Sequence, residues 1–369
     1  MVLGLLSSFD PISYRGESFA LFDLALLKKA ISDLKIKPKN KVITVRGTNG
    51  KTSTSLFLDS IIRQNKFNCI TFISPHVFNP NERILMNGVK IDMSLLSEFD
   101  KLISVYEKSI KRQFTYFEAL FLICLLLNKQ EEADYLVLEA GLGGPKDATA
   151  SVLSDLIVLT SIGLDHQEFL GDTREKILKS KISDIKDVQL ITFSENKKYK
   201  ALFSKKVIYV KPEPNEGFLG KNKILAITAA NFLKMNLKED DLNLDFGIKG
   251  RFQVLRKKPF LVLDGAHNRE GLIYLFQNLK DLKIKRALVG MKKGKLKDCE
   301  EVIRNFGFDE IAWCNLPQPW DSDSPPKDWD YLKTDSEILE WVLGSEEDSL
   351  IVGSLYLASR LLKLFNGKL

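Results

Sequence analysis

The chain has 369 residues, enough for two domains that each bury a core of their own. Hydrophobic residues make up 44% of it and charged residues 28%, a balance that excludes disorder as its main organisation. The formal charge of +6 comes from lysines scattered along the chain rather than from a basic block, which favours small anions over nucleic acid as partners.

The cysteines narrow the setting. Cys69, Cys124, Cys299 and Cys314 lie far apart and form no CxxC pair, so neither a zinc site nor a disulfide framework is expected, and a reducing compartment, the cytoplasm, is. The N-terminal "MVLGLLSSFDPISY" lacks the basic start and long apolar run of a signal peptide. The longest apolar run, 119–127, falls well short of the roughly 18 residues of a membrane span and reads as a buried core helix. No membrane partner is expected.

In chain order, "KVITV" (41–45) reads as a buried strand, followed by a glycine turn and then by "TSTSLFLDSIIRQ" with apolar spacing suited to a helix. Strand, glycine loop and helix is the order in which a chain offers backbone N–H groups, a lysine and a hydroxyl to phosphate. The spacing is GxxGKT, with Val45 where the long Walker pattern has its first glycine. The alternative is a glycine turn capping a helix, with an incidental lysine.

"NCITFIS" (68–74) predicts a second strand ending at Ser74, and "NERILMNGVKI" a hairpin turning at Asn87-Gly88. Helices are expected at about 94–110 and 115–129. "ADYLVLEAGLGG" predicts a strand ending in Glu139 before a glycine-rich loop, and "SDLIVLTSIGLDH" one ending in Asp165-His166. Polar residues at the C-terminal ends of buried parallel strands are where open α/β sheets hold ligands. Glu139 is placed to meet a magnesium ion beside a phosphate loop, since Mg²⁺ takes hard oxygen ligands and bridges phosphates.

From Pro259 the pattern restarts, with short apolar runs in "PFLVLDGAHN", "RALVGM", "EIAWCN" and "SLIVGS". A second, smaller α/β domain is expected over 256–369, after a first over 1–255, with "GIKGRFQV" as linker. The three histidines of the chain, His76, His166 and His267, each follow an apolar run beside Pro, Asp, Gly or Asn, which favours a site over three separate structural roles. For Asn268 a helix N-cap is the plain alternative.

Taken together, the pieces "GTNGKTST", "SPHVFNPNERI", "FEAL", "LEAGLGGPKDAT", "TSIGLDHQEFLGDT", "GRFQ", "LDGAHN" and "GSLYL" resemble the folylpolyglutamate synthase and dihydrofolate synthase family, relatives of the Mur ligases. The resemblance implies an α/β fold in which a P-loop ATPase-type Mur ligase central domain precedes a smaller Rossmann-like domain. It implies an ATP-dependent carboxylate–amine ligase: the γ-phosphoryl group goes to a carboxylate of a pterin or folate, and the amine of L-glutamate attacks the acyl phosphate. A monomer is expected.

By matching motif, Gly47, Thr48, Asn49, Gly50, Lys51 and Thr52 are implied as the phosphate cradle, and Ser74, Glu139 and His166 as magnesium ligands. Lys181 in "LKSKISDIK" matches the lysine that the family carbamylates; the alternative for it is a surface lysine, with Lys179 and Lys186 beside it. Arg251, Asp264 and His267 are implied to reach ATP from the linker and second domain, with Lys51, Lys181 and His267 as catalytic groups. Thr52 stands where the family has glycine and is closer to the Mur pattern, so a Mur-like ligase acting on a cell-wall precursor is the competing reading. The family's adenine-holding piece is altered to "KNKILA", with Lys221, Asn222 and Leu225 in place of His, Gln and Asn, and Pro145 and Lys146 also depart from its pattern.

Overall fold

A computed structural model describes residues 24–38, 40–185, 187–203, 206–213, 216–237, 249–317 and 320–365. By contacts the chain forms two compact units, Met1–Leu244 and Asp245–Leu369.

The first unit is built on strands β1 (Lys41–Arg46), β2 (Cys69–Phe72), β3 (Ile84–Met86), β4 (Val89–Lys90), β5 (Tyr135–Glu139), β6 (Leu156–Leu159), β7 (Gln189–Phe193) and β8 (Val207–Val210), in the sheet order β4-β3-β2-β5-β1-β6-β7-β8. From β2 to β8 the pairs are parallel, and the β2–β3 and β3–β4 pairs at one edge are antiparallel. Strands β1, β2, β5 and β6 are buried on both faces after their first residues, which is why they read as continuous apolar runs rather than alternating ones. The hairpin turns where expected, with Asn87 at φ 51° and Gly88 at φ 78°, both in the left-handed region that a two-residue turn requires.

One layer of helices, α1 (Leu24–Asp33), α3 (Met93–Ile110) and α4 (Tyr116–Glu131), covers the β2–β5 side of the sheet in a single core with Phe72, Leu136 and Leu138. Helix α4 is apolar all round and buried along 116–128, and Thr115 and Glu118 close its N-terminus as a capping box. None of the described helices is long and apolar enough to cross a membrane. Helix α2 (Lys51–Gln64) packs on α7 (Phe218–Phe232), while α5 (Gln167–Leu170) and α6 (Arg174–Ile182) cover Leu159 and Leu190.

Two expected strand ends are corrected. The strand in "NCITFIS" stops at Phe72 and that in "SDLIVLTSIGLDH" at Leu159, so Ser74, His76, Asp165 and His166 stand on the loops beyond rather than at the strand ends. The last rung between β1 and β6 runs from the Thr160 N–H to the carbonyl of Arg46, and the chain leaves the sheet beyond it.

The second unit holds β9 (Gln253–Lys257), β10 (Phe260–Asp264), β11 (Arg286–Val289), β12 (Glu310–Cys314), β13 (Asp330–Leu332) and β14 (Ser349–Val352), in the order β13-β12-β11-β14-β10-β9. All its pairs are parallel except β9 with β10. Helices α8 (Arg269–Leu279) and α9 (Leu296–Phe306) cover one face, and α10 (Asp335–Leu343) and α11 (Leu355–Leu364) the other. The last residues of the expected linker, Gln253 and Val254, open the edge strand β9; residues 247–248 lie outside the described residues.

Candidate active site

The central strands of the first sheet end level with one another. Val45 pairs with Glu139, Arg46 with Leu159, and Phe72 with Leu138, so the loops after β1, β2, β5 and β6 rise side by side from one edge. Those loops and strand ends carry Gly47 to Thr52, Ser74, Glu139 and His166 of the predicted residues.

The loop after β1 has glycine where geometry demands it. Gly47 is at φ 145° and a Cβ there would collide with the Thr160 side chain; Gly50 is at φ 89° and a Cβ there would collide with Asn222. The loop is tied down by hydrogen bonds from the Thr48 N–H to the Ser161 carbonyl (2.7 Å), from the Asn49 N–H to Ser161 Oγ (3.2 Å) and from the Gly163 N–H to Thr48 Oγ1 (3.0 Å). Gly50 is the residue from which α2 starts, and the described α2 has no acidic residue in its first turn. An anion therefore meets the positive end of the helix dipole without carboxylate competition from that turn. Lys51 Nζ folds back to donate to the carbonyls of Gly47 (3.2 Å) and Thr48 (3.0 Å).

Glu139 is only 2% exposed, and its two oxygens take different partners. Thr52 Oγ1 donates to Oε1 at 3.0 Å and the Ser74 N–H to Oε2 at 3.0 Å. One carboxylate thus joins the phosphate loop, the end of β5 and the loop after β2. His166 stands on the loop after β6 at φ 50°, its N–H donating to Asp165 Oδ1 (2.9 Å) and its ring Nε2 4.0 Å from the same oxygen.

Lys181 is the residue most changed by the structure. It is 2% exposed on α6, so the surface-lysine alternative falls, and its Nζ donates to the Leu142 carbonyl at 2.5 Å. Burial, and then the charge of Lys51, bring its pKa down to about 7, while Asp147 and Asp165 pull it upward and Arg46 downward. A lysine at that value is in large part a neutral amine near pH 7.

The structure also gives contacts to two motif residues for which the sequence offered no role in the site. Asp147, 2% exposed, accepts the N–H groups of Leu142 (3.0 Å) and Gly143 (2.9 Å) on one oxygen and of Thr149 (3.0 Å) on the other, and so shapes the loop that Lys181 touches. Asn222, 1% exposed, donates to Ser53 Oγ (3.0 Å) and abuts Gly50, so the altered "KNKILA" piece braces the phosphate loop, while Leu225 is fully buried. The contact of Asn222 with Ser53 spans 169 residues of sequence, so nothing local points to it.

In the second unit the "LDGAHN" residues form a turn. Asp264 accepts the N–H groups of Phe252 and Ala266, each at 2.7 Å, and burial raises its pKa. The charge of Arg251 acts on the same carboxyl in the opposite direction. His267 Nδ1 lies 2.9 Å from the Gly265 carbonyl, an acceptor only, so Nδ1 is the donor in that bond. Asn268 Oδ1 accepts the Gly271 N–H at 2.8 Å and is the N-cap of α8, the plain alternative.

Residues 45–255 match the family model described as the Mur ligase middle domain. Over 297 residues, 71% of this chain and 69% of the relative, the chain is 31% identical to the dihydrofolate synthase/folylpolyglutamate synthase of Buchnera aphidicola subsp. Schizaphis graminum. To the Bacillus subtilis protein of the same name it is 28% identical over 389 residues, covering 88% of this chain and 90% of that one. Among solved structures, the bifunctional folylpolyglutamate synthase/dihydrofolate synthase from Yersinia pestis, complexed with AMPPNP and Mn ion, is similar with a TM-score of 0.80 at 25% identity, covering 93% of each chain.

Proposed function

Because the chain belongs to the dihydrofolate synthase/folylpolyglutamate synthase family, with the middle domain of the Mur ligases, we propose that it joins L-glutamate to dihydropteroate and to reduced folate at the expense of ATP. The observation that carries the reading is the meeting of Thr52, Ser74 and Glu139 beside Lys51 at one sheet edge. A Mur-like reaction on a cell-wall precursor is not favoured, since the relatives matched over most of this chain are named for folate chemistry.

The donor set fits a hard divalent cation: a buried carboxylate fixed at both oxygens, the hydroxyls of Thr52 and Ser74, and the imidazole of His166. Among the described residues no group of three or more His, Cys, Asp or Glu could hold a metal, so the set is a mixed one. When bound, Mg²⁺ supplies neutralisation of the phosphate charge. The chain's own groups do the rest: the loop N–H groups and the α2 dipole orient the phosphates, and Lys51 swings from the loop carbonyls to the transferred γ-phosphoryl. A substrate carboxylate oxygen then bonds to phosphorus as the bond to ADP breaks. The glutamate amine attacks the acyl carbon, the carbon–oxygen bond breaks, phosphate leaves with that oxygen, and the nitrogen gives up one proton to the departing phosphate or to solvent.

Lys181 enters this proposal as a carbamate. Its neutral amine attacks the carbon of CO₂, one carbon–oxygen π bond opens to an oxyanion and a proton goes to solvent, turning a buried amine into an anionic oxygen donor that would serve a bound metal. Its burial and lowered pKa support this step. The assignment of Arg251, Asp264 and His267 to ATP is proposed from the resemblance, with 256–369 as the glutamate ligase domain. A monomer acting in the cytoplasm belongs to the same proposal.

Release of ADP from Mg-ATP and L-glutamate, with dihydropteroate and tetrahydrofolate as parallel acceptors, tests the reading. Turnover with both is expected. Inactivity with both, alongside turnover of a nucleotide-sugar peptide precursor, would replace it with the Mur-like reaction.

A further inference from the structure

Arg46 ends the buried strand β1 and is only 2% exposed, a place where an unpaired charge is costly. Its guanidinium forks onto Asp184, with Nη1 to Oδ1 at 2.6 Å and Nη2 to Oδ2 at 2.7 Å, and Nη1 also donates to the Lys181 carbonyl at 2.8 Å. Its own carbonyl accepts the N–H of Thr160 (2.8 Å) and Thr160 Oγ1 (3.2 Å), which fixes the start of the loop that leads to His166. A methyl group on Gly143 would lie 3.7 Å from Lys181 Cγ and 3.8 Å from Cγ and Cδ of Arg46, so the two stems flank that glycine together. The Nε of Arg46 is buried without a partner, so the fork is held although one donor goes unmatched.

We propose that Arg46 and Asp184 form a positioning clamp for the ligase reaction: they register the end of α6, and with it Lys181, against the phosphate loop that begins at the next residue, Gly47. The clamp rests on the reading of Lys181 as part of the reactive centre. A planar two-donor fork sets distance and angle at once, whereas a lysine in its place supplies charge without direction. The clamp acts through Lys181 and touches no substrate, so it governs turnover rather than nucleotide capture.

The test compares wild type, Arg46→Lys, Asp184→Asn and the double variant by steady-state kinetics and by mass-spectrometric labelling of lysines with acetic anhydride. In Arg46→Lys and Asp184→Asn, kcat is expected to fall by about tenfold or more, the magnitude typical of lost outer-shell support. KM for ATP should stay within about twofold of wild type, since the phosphate cradle itself keeps its ties through Ser161 and Gly163. Labelling of Lys181 relative to the other lysines should rise, and the double variant should be no worse than either single one, because both remove the same fork. Retention of kcat within twofold in the two single variants would overturn the clamp, as would a fall in kcat with the labelling of Lys181 unchanged. Asp184→Asn preserves the side-chain shape and guards against loss of folding in Arg46→Lys. A wild-type enzyme inert towards every acceptor would instead count against the ligase reading, and the Lys181 labelling would still decide whether the clamp positions that residue.

Discussion

The two units are both open α/β sheets, yet they handle charge in opposite ways. In the first, Arg46, Glu139, Asp147, Asp165 and Lys181 are each 7% exposed or less, and they stand at the ends of β1 and β5, on loops that follow β5 and β6, and on α6. In the second, Arg269–Glu301, Lys285–Glu347 and Arg304–Asp328 are pairs whose partners are all more than a third exposed, and Arg286–Glu310 is a half-sheltered brace beneath Trp341. Charges taken out of water cost several kcal/mol each unless matched, so five of them held together support the site proposed there. Surface pairs carry little energy and mark scaffold.

Breaking the buried set should have the largest effects. Lys51→Ala is expected to lower kcat by about a hundredfold to a thousandfold, the scale seen when one preorganised charge donor at a transition state is lost. A variant with unchanged kcat would remove Lys51 from phosphoryl transfer. Glu139→Ala should raise the magnesium concentration for half-maximal activity by about tenfold or more, and it frees both Thr52 Oγ1 and the Ser74 N–H. An unaltered magnesium titration would contradict that.

Lys181 gives a prediction with a sign. In metal-free, bicarbonate-free protein its pKa is near 7 folded, against 10.5 for an ordinary lysine, so between these values the unfolded chain binds the extra proton. The contribution of this group to stability therefore rises as pH increases from about 7 to 10.5 and is lost as pH falls through 7. Lys181→Met should flatten that part of the pH–stability curve, measured by urea unfolding, and a curve identical to that of wild type would contradict the burial argument. The same sign governs modification: incorporation of labelled bicarbonate at Lys181 should fall as pH drops below about 7.

The smallest effect sharpens the contrast from the other side. Glu301→Ala, in an exposed pair with Arg269, should change stability by less than about 1 kcal/mol and leave kcat as it was. A large loss of activity would show that charge on the second unit is not mere scaffold.

How far these regions were legible in the sequence follows the same division. The strands β1, β2, β5 and β6 announced themselves as apolar runs because parallel sheets bury both faces, and Glu139 stood out as a carboxylate at the end of one. By the same rule Arg46 at the end of "KVITVR" was equally visible, but its partner Asp184 is 138 residues away and nothing local points to it. The edge strand β9 is half exposed and β13 is three residues long, so neither leaves a clear period. Lys181 was legible only through a motif, since its burial depends on how α6 packs against the Gly143 loop and not on its neighbours in "LKSKISDIK". Asn222 was readable as a departure from a pattern, while its contact with the phosphate loop needed the fold.

The central claim is that a carboxylate is activated as an acyl phosphate at this edge. Dihydropteroate labelled with ¹⁸O in its carboxylate, turned over with Mg-ATP and L-glutamate, tests it most directly. Inorganic phosphate carrying one ¹⁸O atom per turnover is the predicted result, because the oxygen that bonds to phosphorus leaves with it. Unlabelled phosphate from a reaction that still forms the amide would contradict the account.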